Sequence, residues 1–407
     1  MSVPKLRFKE FKGDWEVKKL GEIALKVGSG STPRGGESVY QSNGIPFIRS
    51  QNVKNESLIL DDLVYISEDI NSRMQGSIVK SDDILLNITG ASIGRSCVVP
   101  SNFKIGNVNQ HVCIIRLNPN YISRFIQPYL SSERGQKSIL SSSVGSGREG
   151  LNFQAIRLFK IAIPTHQEQT KIADFLMTVD EKIAQLTQKC ELLARYKKGV
   201  MQQLFSQELR FKDDDGRDFP DWEEKLFGEI ADIRRGASPR PISDKKWFSS
   251  DSDIGWVRIS DVTKSDKYLN KTEQYLSPAG IEKSRLVPRG HIIMSICATI
   301  GKPIYINFNV CIHDGFVVFK DLKANQDYFY YYLQFTQEKW YQYGQPGSQV
   351  NLNTDIVSDE TIYLPCFQEQ TKIANFLTTI DEKITQSQTY LETVKQYKQG
   401  LLQQMFI

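Results

Sequence analysis

A stretch of 39 residues occurs twice in this chain, and this repeat limits the possible fold more than any other feature. Residues 167–205 align without a gap with residues 368–406, and 22 of the 39 aligned pairs are identical. Both copies open with Gln-Glu-Gln-Thr-Lys-Ile-Ala, at Gln167 and at Gln368. Self-similarity of this kind indicates a tandem repeat, so the chain is expected to build one structural unit twice.

Each copy carries apolar residues at alternating steps of four and three, which is the spacing of a heptad seam. The seam positions are Ile172, Leu176, Val179, Ile183, Leu186, Cys190, Leu193, Lys197, Val200 and Leu204 in the first copy, and Ile373, Leu377, Ile380, Ile384, Ser387, Leu391, Val394, Lys398, Leu401 and Met405 in the second. Lys197 and Lys398 occupy equivalent positions, where a polar residue can fix register at a cost in stability. Two long helices that pair with each other are predicted, and an amphipathic helix packed on its own domain is the alternative.

The residues before each copy indicate where the helices begin. Thr165 with Glu168 three residues later predicts a capping box for the first helix. Pro164 and Pro365 are expected to end the preceding segments. Cys366 stands where the first copy has Thr165, so the same cap is not expected at the second helix.

The repeat is larger than the helices, because Leu6-Arg7-Phe8-Lys9 recurs at residues 209–212 and Asp14-Trp15-Glu16 recurs at residues 221–223. Between these openings and the helices, short apolar runs bounded by turn residues predict β-strands. The runs are residues 45–48, 84–88, 112–117, 256–259, 292–296 and 316–319. Aromatic amphipathic runs at 121–140 and 328–343 predict helices. Each half is therefore predicted to be a mixed α/β globule followed by a long helix.

Composition excludes little. The chain has 407 residues, a net charge of +4 and scattered cysteines without a Cys-x-x-Cys pair, and its four histidines are not at helical metal-ligand spacing. Neither disulfides nor a metal site is expected. The first twelve residues are polar and no apolar run has the length of a membrane span, so the expected location is cytoplasmic, with no membrane partner. The charge permits nucleic-acid binding without arguing for it.

No motif in the chain predicts catalysis or a cofactor. Residues 145–150 fit the pattern G-x-G-x-x-G, but residues 141–144 before them are not the buried parallel strand that dinucleotide binding requires. Residues 118–121, Asn-Pro-Asn-Tyr, resemble the Asn-Pro-Pro-Tyr motif of adenine methyltransferases but lack the second proline and a glycine-rich strand before them. No catalytic, cofactor-binding or metal-binding residue is therefore predicted.

Loop residues suited to DNA remain, because Arg, Lys and Ser can contact phosphates while Asn, Gln, Arg and Asp can read base edges. They occur at corresponding places in the two halves. The candidates are Ser31, Thr32, Arg34, Arg49, Gln51, Asn52, Ser92, Arg95, Asn109, Gln110, His111, Ser146 and Arg148, with Ser238, Arg240, Arg258, Ser260, Asp261, Thr299, Lys302, His313, Asp314, Ser348, Gln349 and Asn351. Any one of them could be an ordinary solvent-facing residue, and His111 and His313 could be core histidines.

The chain resembles the specificity subunit of type I restriction-modification systems over its whole length. The resemblance rests on the two Gln-Glu-Gln-Thr-Lys-Ile-Ala helix openings, the prolines before them, and the repeated Trp-Glu and Gly-Glu-Ile starts. It implies target recognition domains at 1–163 and 209–364, each reading one half of a bipartite, asymmetric site in double-stranded DNA. It also implies spacer helices at 164–208 and 365–407 that form an antiparallel coiled coil.

The same resemblance implies partners: two methyltransferase (modification) subunits and the motor-nuclease (restriction) subunits. A helix of about 38 residues spans roughly 57 Å, which is enough to hold recognition domains over major-groove faces about 34 Å apart. Two rival functions stay open. One is a stand-alone DNA methyltransferase recognition protein, which would need cofactor motifs, and the other is a coiled-coil scaffold that does not bind DNA.

Overall fold

The computed structural model describes residues 3–143, 150–343 and 352–406. The chain divides into two compact units, Met1–Gln188 with Gln388–Ile407, and Lys189–Ser387. The first unit is thus built from two segments that are distant in sequence. Across the described residues, no helix combines the length and the apolar character needed to cross a membrane.

Before the first long helix, the described residues of the first unit form ten strands and five α-helices. The strands are β1 (Glu16–Lys19), β2 (Ala24–Ser29), β3 (Ile45–Ile48), β4 (Val64–Ile66), β5 (Ile78–Val79), β6 (Ile84–Asn87), β7 (Ser96–Val98), β8 (Gly106–Val108), β9 (Val112–Leu117) and β10 (Lys160–Ile163). The helices are α1 (Leu20–Ile23), α2 (Glu68–Arg73), α3 (Ser123–Ser131), α4 (Glu133–Ser142) and α5 (Phe153–Arg157). The strands form three sheets, ordered β2-β9-β6-β7, β4-β3-β8-β5 and β1-β10.

The second unit repeats this plan. Its strands are β11 (Glu223–Leu226), β12 (Asp232–Arg235), β13 (Gly255–Val257), β14 (Tyr268–Leu269), β15 (Gln274–Tyr275), β16 (Arg285–Val287), β17 (Ile292–Ser295), β18 (Pro303–Ile306), β19 (Val310–Ile312), β20 (Phe316–Lys320) and β21 (Thr361–Leu364). The sheets are ordered β12-β20-β17-β18-β14, β15-β13-β19-β16 and β11-β21. The long helices are α6 (His166–Phe205) and α12 (Phe367–Met405), and the shorter ones are α7 (Phe227–Ile230), α8 (Ile259–Thr263), α9 (Pro278–Glu282), α10 (Gln326–Thr336) and α11 (Thr354–Ser358).

The long helices pack against each other within each unit. In the first unit the start of α6 and the end of α12 share one core, in which Leu176 lies with Leu402 and Met405. In the second unit the end of α6 and the start of α12 do the same, in a core that contains Leu204 and Leu377. Every seam position predicted from the heptads is buried or half-buried. The mixed α/β class and the antiparallel coiled coil are therefore confirmed.

The repeated Gln-Glu-Gln motif attaches each long helix to its globule. Buried Glu168 accepts two hydrogen bonds from the Arg7 guanidinium, at 2.7 and 2.8 Å, and a third from Trp15 Nε1 at 3.3 Å. Gln169 Oε1 accepts from the Ile122 backbone N–H at 3.2 Å, and its Nε2 donates to Pro164 O at 3.0 Å. The donors Arg7 and Trp15 recur in the second half of the chain as Arg210 and Trp222, so the motif that accepts from them recurs as well.

The second copy makes the same attachments. Glu369 accepts from Arg210 at 3.2 and 2.8 Å and from Trp222 Nε1 at 3.0 Å. Gln370 Oε1 accepts from the Asn325 N–H at 2.7 Å. The recurrence of Trp-Glu and Leu-Arg-Phe in the sequence therefore has a structural cause: each supplies a donor to a buried carboxylate.

Three expectations need correction. Thr165 caps α6 weakly, since its hydroxyl accepts from the Glu168 N–H at 3.4 Å, but the Glu168 side chain bonds Arg7 instead of closing a capping box. The helical run at 121–140 is split into α3 and α4. Helix α3 ends at Ser131, and the Ser132 hydroxyl caps α4 by accepting a hydrogen bond from the Gly135 N–H. The run predicted as a strand at 256–259 ends at Val257, and Ile259 begins helix α8.

Candidate nucleic-acid interface

In the first unit, two neighbouring parallel strands end side by side. Strands β3 and β8 pair in parallel with Ile48 opposite Val108. Arg49 follows β3 directly, and Gln110 is the second residue after β8. Because parallel strands present their carboxyl ends at the same edge of a sheet, these two polar residues emerge together.

The second unit has the same arrangement. Strands β13 and β19 pair in parallel with Val257 opposite Ile312. Arg258 follows β13 directly, and Asp314 is the second residue after β19. The two halves differ in the second residue after this strand, which is glutamine in one and aspartate in the other, while the arginine is retained.

A third loop, with the sequence Gly-x-(Ser/Thr)-Pro-Arg, meets these strand ends in both units. Thr32 Oγ1 donates a hydrogen bond to Gln110 Oε1. Its counterpart Ser238 Oγ donates to Asp314 Oδ1 at 2.8 Å. The hydroxyl of the loop therefore holds the head group of the variable residue in each unit.

The glycine that opens each of these loops passes against the backbone of the second parallel strand. A Cβ atom on Gly30 would lie 1.6 Å from Val108 O, and one on Gly236 would lie 2.0 Å from His313 O. No side chain fits at either place without movement of the backbone. The glycine thus brings the loop close enough for its hydroxyl to reach the strand end.

In the second unit these residues surround a cavity of ≈ 710 Å³. It is lined by residues 238–242, Trp256, Arg258, His313 and Asp314. Arg240 is exposed and its guanidinium lies 3.6 Å from Asp314 Oδ2, so donors and acceptors converge on the same opening. The sequence does not single out Trp256, which is buried in β13 as expected for a strand residue but also forms one wall of the cavity.

Asp314 and His313 line this cavity together with the guanidinium groups of Arg240 and Arg258. Burial raises the pKa of the Asp314 carboxyl, but the hydrogen bond from Ser238, its own backbone N–H and the nearby His313 and Arg235 charges outweigh burial and leave that pKa below its ordinary value. Burial lowers the pKa of His313, and Arg258 lowers it further against the opposing effect of Asp314. At neutral pH the cavity therefore holds a carboxylate and a neutral imidazole. His313 Nδ1 accepts from the Gly315 N–H at 2.8 Å, which leaves the proton on Nε2.

The first unit presents an amide at the equivalent place. Gln110 is exposed, and its Nε2 lies 3.3 Å from His111 Nε2. His111 Nδ1 is 2.7 Å from the hydroxyl of Thr89, another residue that the sequence does not single out. Nε of Arg49 is buried and has no hydrogen-bond partner among the described residues. Its guanidinium lies 5.9 Å from the Tyr40 ring centroid.

Two of the predicted residues lie beneath this surface and support it. Asn52 and Asp261 are buried. Asn52 Oδ1 accepts from the Arg49 N–H at 2.9 Å, and Asp261 Oδ2 accepts from the Arg258 N–H at 2.8 Å. They hold the turn that presents each arginine, and they do not face solvent.

Two other predicted residues also bond to backbone. Asn109 is buried and its Oδ1 accepts from the His111 N–H at 3.1 Å. Lys302 Nζ donates to the carbonyl oxygens of Thr263 and Ser265, at 3.3 and 2.7 Å, and burial lowers its pKa. In this arrangement their polar atoms are directed into the protein.

The remaining candidates differ in exposure. Those exposed to solvent are Ser31, Thr32, Arg34, Gln51, Gln110, Arg240 and Ser260; those half-buried are Arg49, Ser92, Arg95, His111, Ser238, Arg258, Thr299, His313 and Asp314. Ser146, Arg148, Ser348, Gln349 and Asn351 lie outside the described residues, as does most of the Gly-x-Gly-x-x-Gly stretch. The exposed and half-buried residues include both strand-end constellations, which are Arg49 with Gln110 in the first unit and Arg258 with Asp314 in the second.

Curated relatives resemble the chain over nearly its full length. It is 24% identical over 417 residues to the type I restriction enzyme MjaVIII specificity subunit of Methanocaldococcus jannaschii, covering 97% of this chain and 94% of that protein. It is 31% identical over 133 residues to the EcoBI specificity subunit of Escherichia coli, covering 32% of this chain and 27% of that protein.

Solved structures share its fold. The crystal structure of the type I restriction-modification S subunit from M. genitalium aligns with a TM-score of 0.59 at 14% identity, covering 100% of this chain and 99% of that one. A chain from a study of complex assembly and conformational transition in the type I system aligns with a TM-score of 0.62 at 16% identity, covering 97% and 98%.

The family model for the type I restriction modification DNA specificity domain matches the chain twice, at residues 12–194 and 220–396. These two matches take in both strand-end constellations and most of both long helices. The chain therefore belongs to the type I restriction-modification DNA specificity family.

Proposed function

We propose that this chain is the DNA-recognition subunit of a type I restriction-modification complex and that it is not itself an enzyme. Residues 1–163 and 209–364 act as target recognition domains, and each reads one half of a bipartite, asymmetric site. Residues 164–208 and 365–407 form the spacer helices that set the distance between the half-sites. The DNA-facing residues are the strand-end and loop candidates that reach solvent.

One observation carries this proposal. The same loop hydroxyl, strand-end arginine and hydrogen-bonding head group recur in both units, yet the head group differs between them: Gln110 in the first and Asp314 in the second. Arginine serves phosphates and guanine edges, while amides and carboxylates discriminate bases. A repeated scaffold with a changed reading group suits two different half-sites.

The partners of the proposed complex are double-stranded DNA, two methyltransferase subunits, which would dock on the assembly formed with the long helices, and motor-nuclease subunits. In this complex the partner subunits carry out methyl transfer and cleavage, and the present chain determines the DNA sequence that is recognised.

A domain exchange tests the proposal. Residues 24–160 are replaced by the corresponding region of another specificity subunit, and methylated adenines are mapped in DNA from cells that carry the hybrid with its methyltransferase partner. The sequence of one half-site is expected to change, while the sequence and the methylation of the other half-site persist. Exchange of the equivalent region of the second unit serves as the reciprocal control.

Two results would contradict the proposal. If both half-sites changed together in either hybrid, the units would not read DNA independently. If the unaltered complex methylated DNA without sequence preference, the chain would not be its recognition subunit.

A further inference from the structure

We propose that Gln110 and Asp314 are equivalent base-reading residues, and that Gln110 recognises an adenine in one half-site and Asp314 a cytosine in the other. The inference rests on the proposed function and names the side chains and bases through which it operates. It follows from the placement of these two residues, from what already holds them, and from the hydrogen-bonding groups they leave free.

Their equivalence is visible in the backbone. Each lies in the three-residue connection after a parallel strand, at the second position. The third position of that connection accepts the same main-chain bond in both units: His111 O from the Ile88 N–H at 3.0 Å, and Gly315 O from the Ile296 N–H at 2.9 Å. Gln110 and Asp314 therefore occupy the same backbone position in the two units but carry different functional groups.

The loop hydroxyl orients each head group without using all of it. Thr32 donates to Gln110 Oε1, and Ser238 donates to Asp314 Oδ1. Each accepting oxygen has a second lone pair, and Asp314 Oδ2 has its own. A side chain fixed in this way loses less conformational freedom when it meets a base than a free one does.

The free groups of Gln110 match adenine. Thr32 fixes its Oε1 as the acceptor, and its Nε2 has one hydrogen directed to His111 and one left over. It therefore presents an acceptor and a donor side by side at an exposed position. In the major groove this pair complements the N6 amino group and N7 of adenine.

The free groups of Asp314 match cytosine. Its carboxylate offers only acceptors, and the N4 amino group of cytosine is the donor that a carboxylate reads in the major groove. Arg258 lines the same cavity and can supply donors to O6 and N7 of the guanine in that base pair. Acceptor and donor groups in one cavity thus fit a single C·G pair.

The simpler account is that the two hydroxyl contacts only close a surface turn. That account predicts that head-group chemistry at positions 110 and 314 leaves the recognised sequence unchanged. The two accounts separate under isosteric substitutions, because Asp314→Asn and Gln110→Glu keep an oxygen for the loop hydroxyl while they alter what faces the DNA.

The test uses the full chain with its methyltransferase partners. Bound duplexes are selected from a random DNA library at one fixed salt concentration and sequenced. Asp314→Asn is expected to lower the preference for cytosine at one position of one half-site by about tenfold or more, with adenine gaining, since asparagine pairs with adenine. Gln110→Glu is expected to move one position of the other half-site from adenine to cytosine by a similar factor.

Matched controls carry the same chemical change elsewhere. Asp253→Asn alters an exposed residue that precedes β13, at the opposite end of that strand from Arg258. Gln154→Glu alters an exposed residue of α5. Both are expected to keep the selected sequence. Ser238→Ala is expected to weaken discrimination at the Asp314 position without changing the preferred base.

The outcomes are separable. If the unaltered complex selects a bipartite sequence but the two variants, with unchanged melting temperatures, select the same sequence, this inference is wrong and the proposed function stands. If Asp314→Asn changes an adenine position or both half-sites, the cytosine assignment is wrong. If the unaltered complex selects nothing, the proposed function itself has failed.

Discussion

Lys197 Nζ lies 2.6 Å from Asp381 Oδ1, and the repeat counterparts of these two residues, Lys398 and Asp180, form the same ion pair. The first pair lies in the second unit and the second pair in the first. Lys398 is buried and also bonds Glu56. Each seam lysine is thus held by a carboxylate of the other helix, and the two pairs fix one antiparallel register twice.

A polar residue in a heptad seam is expected to cost stability, but Lys398 pairs with two carboxylates, so removing it alone should destabilise the chain. In Lys398→Leu, Asp180 and Glu56 lose their charged donor, and the free energy of unfolding is expected to fall by about 1–3 kcal/mol. Adding Asp180→Leu should recover part of this loss. Urea unfolding of both single variants and the double variant measures the coupling. Lys395→Leu, which removes an exposed pair on the same helix, is the control. A more stable Lys398→Leu protein would refute the argument.

The Arg7–Glu168 pair should matter more than any exposed pair. Glu168 has 1% side-chain exposure, so Glu168→Gln leaves the Arg7 guanidinium without a charged partner at a buried site. A loss of about 3 kcal/mol in unfolding free energy is expected. Glu369→Gln should act likewise, because Glu369 holds Arg210 in the same way. Glu10→Gln removes the exposed pair with Lys171 and should change nothing measurable. Equal effects in all three variants would contradict this reasoning.

The loop glycines should not tolerate alanine. Gly30→Ala and Gly236→Ala place a Cβ against a strand carbonyl, so the loop must move away from the strand end, at a cost of about 1–3 kcal/mol. Thermal melting and DNA affinity should both fall. Gly28→Ala is the matched control, because a Cβ at Gly28 meets nothing within 4 Å. An unaltered affinity in Gly30→Ala would show that the loop hydroxyl is not needed at its present place.

The exposed loop arginine Arg34 should contribute to affinity and not to sequence, whereas Arg240 also lies beside Asp314. Arg34→Ala is expected to weaken binding to all duplexes and to reduce the slope of log affinity against log salt by about 0.9, since it removes one phosphate contact. Binding titrations over a range of salt, with the methyltransferase partner present, measure this. Arg217→Ala, which removes an exposed arginine outside the loops described above, is the control. Binding that does not depend on salt would favour the scaffold alternative.

Lengthening both long helices should lengthen the recognised gap. Four residues inserted after Gln188 and four after Thr389 lie between the two lysine–aspartate pairs and add about 6 Å to each helix. This is roughly two base pairs. Methylation mapping should show unchanged half-sites farther apart, with reduced efficiency. An insertion in one helix alone breaks the register and should destabilise the protein instead. The original gap at full efficiency would show that the helices do not set the spacing.

Much of the architecture could be predicted because it rests on periodic burial. Strands β3 and β9 have the predicted bounds, and the heptads located both long helices, since apolar spacing reports directly on which residues a helix buries. The capping at Glu168 could not be predicted, because Arg7 competes for that carboxylate from a segment about 160 residues away. The sequence also placed lysines in the seam without identifying Asp180 and Asp381 as their partners.

The candidate interface was only partly predictable, and for a different reason. Residue type and position in the repeat were enough to select Thr32 and Gln110. They could not separate these from Asn52 and Asp261, which have equally suitable side chains but bond the backbone of their own turns. Short polar side chains readily satisfy nearby N–H groups, so their direction depends on local backbone geometry that composition does not reveal.

The packing of residues 388–406 has a consequence for how the protein is made. Leu401, Leu402, Met405 and Phe406 belong to the core of the first unit, together with residues near the start of the chain. The second unit, residues 189–387, is contiguous. During translation it can be complete while the first unit still lacks part of its core. The first unit begins to be synthesised before the second but completes its core later, and it exposes apolar surface until the second long helix has been translated.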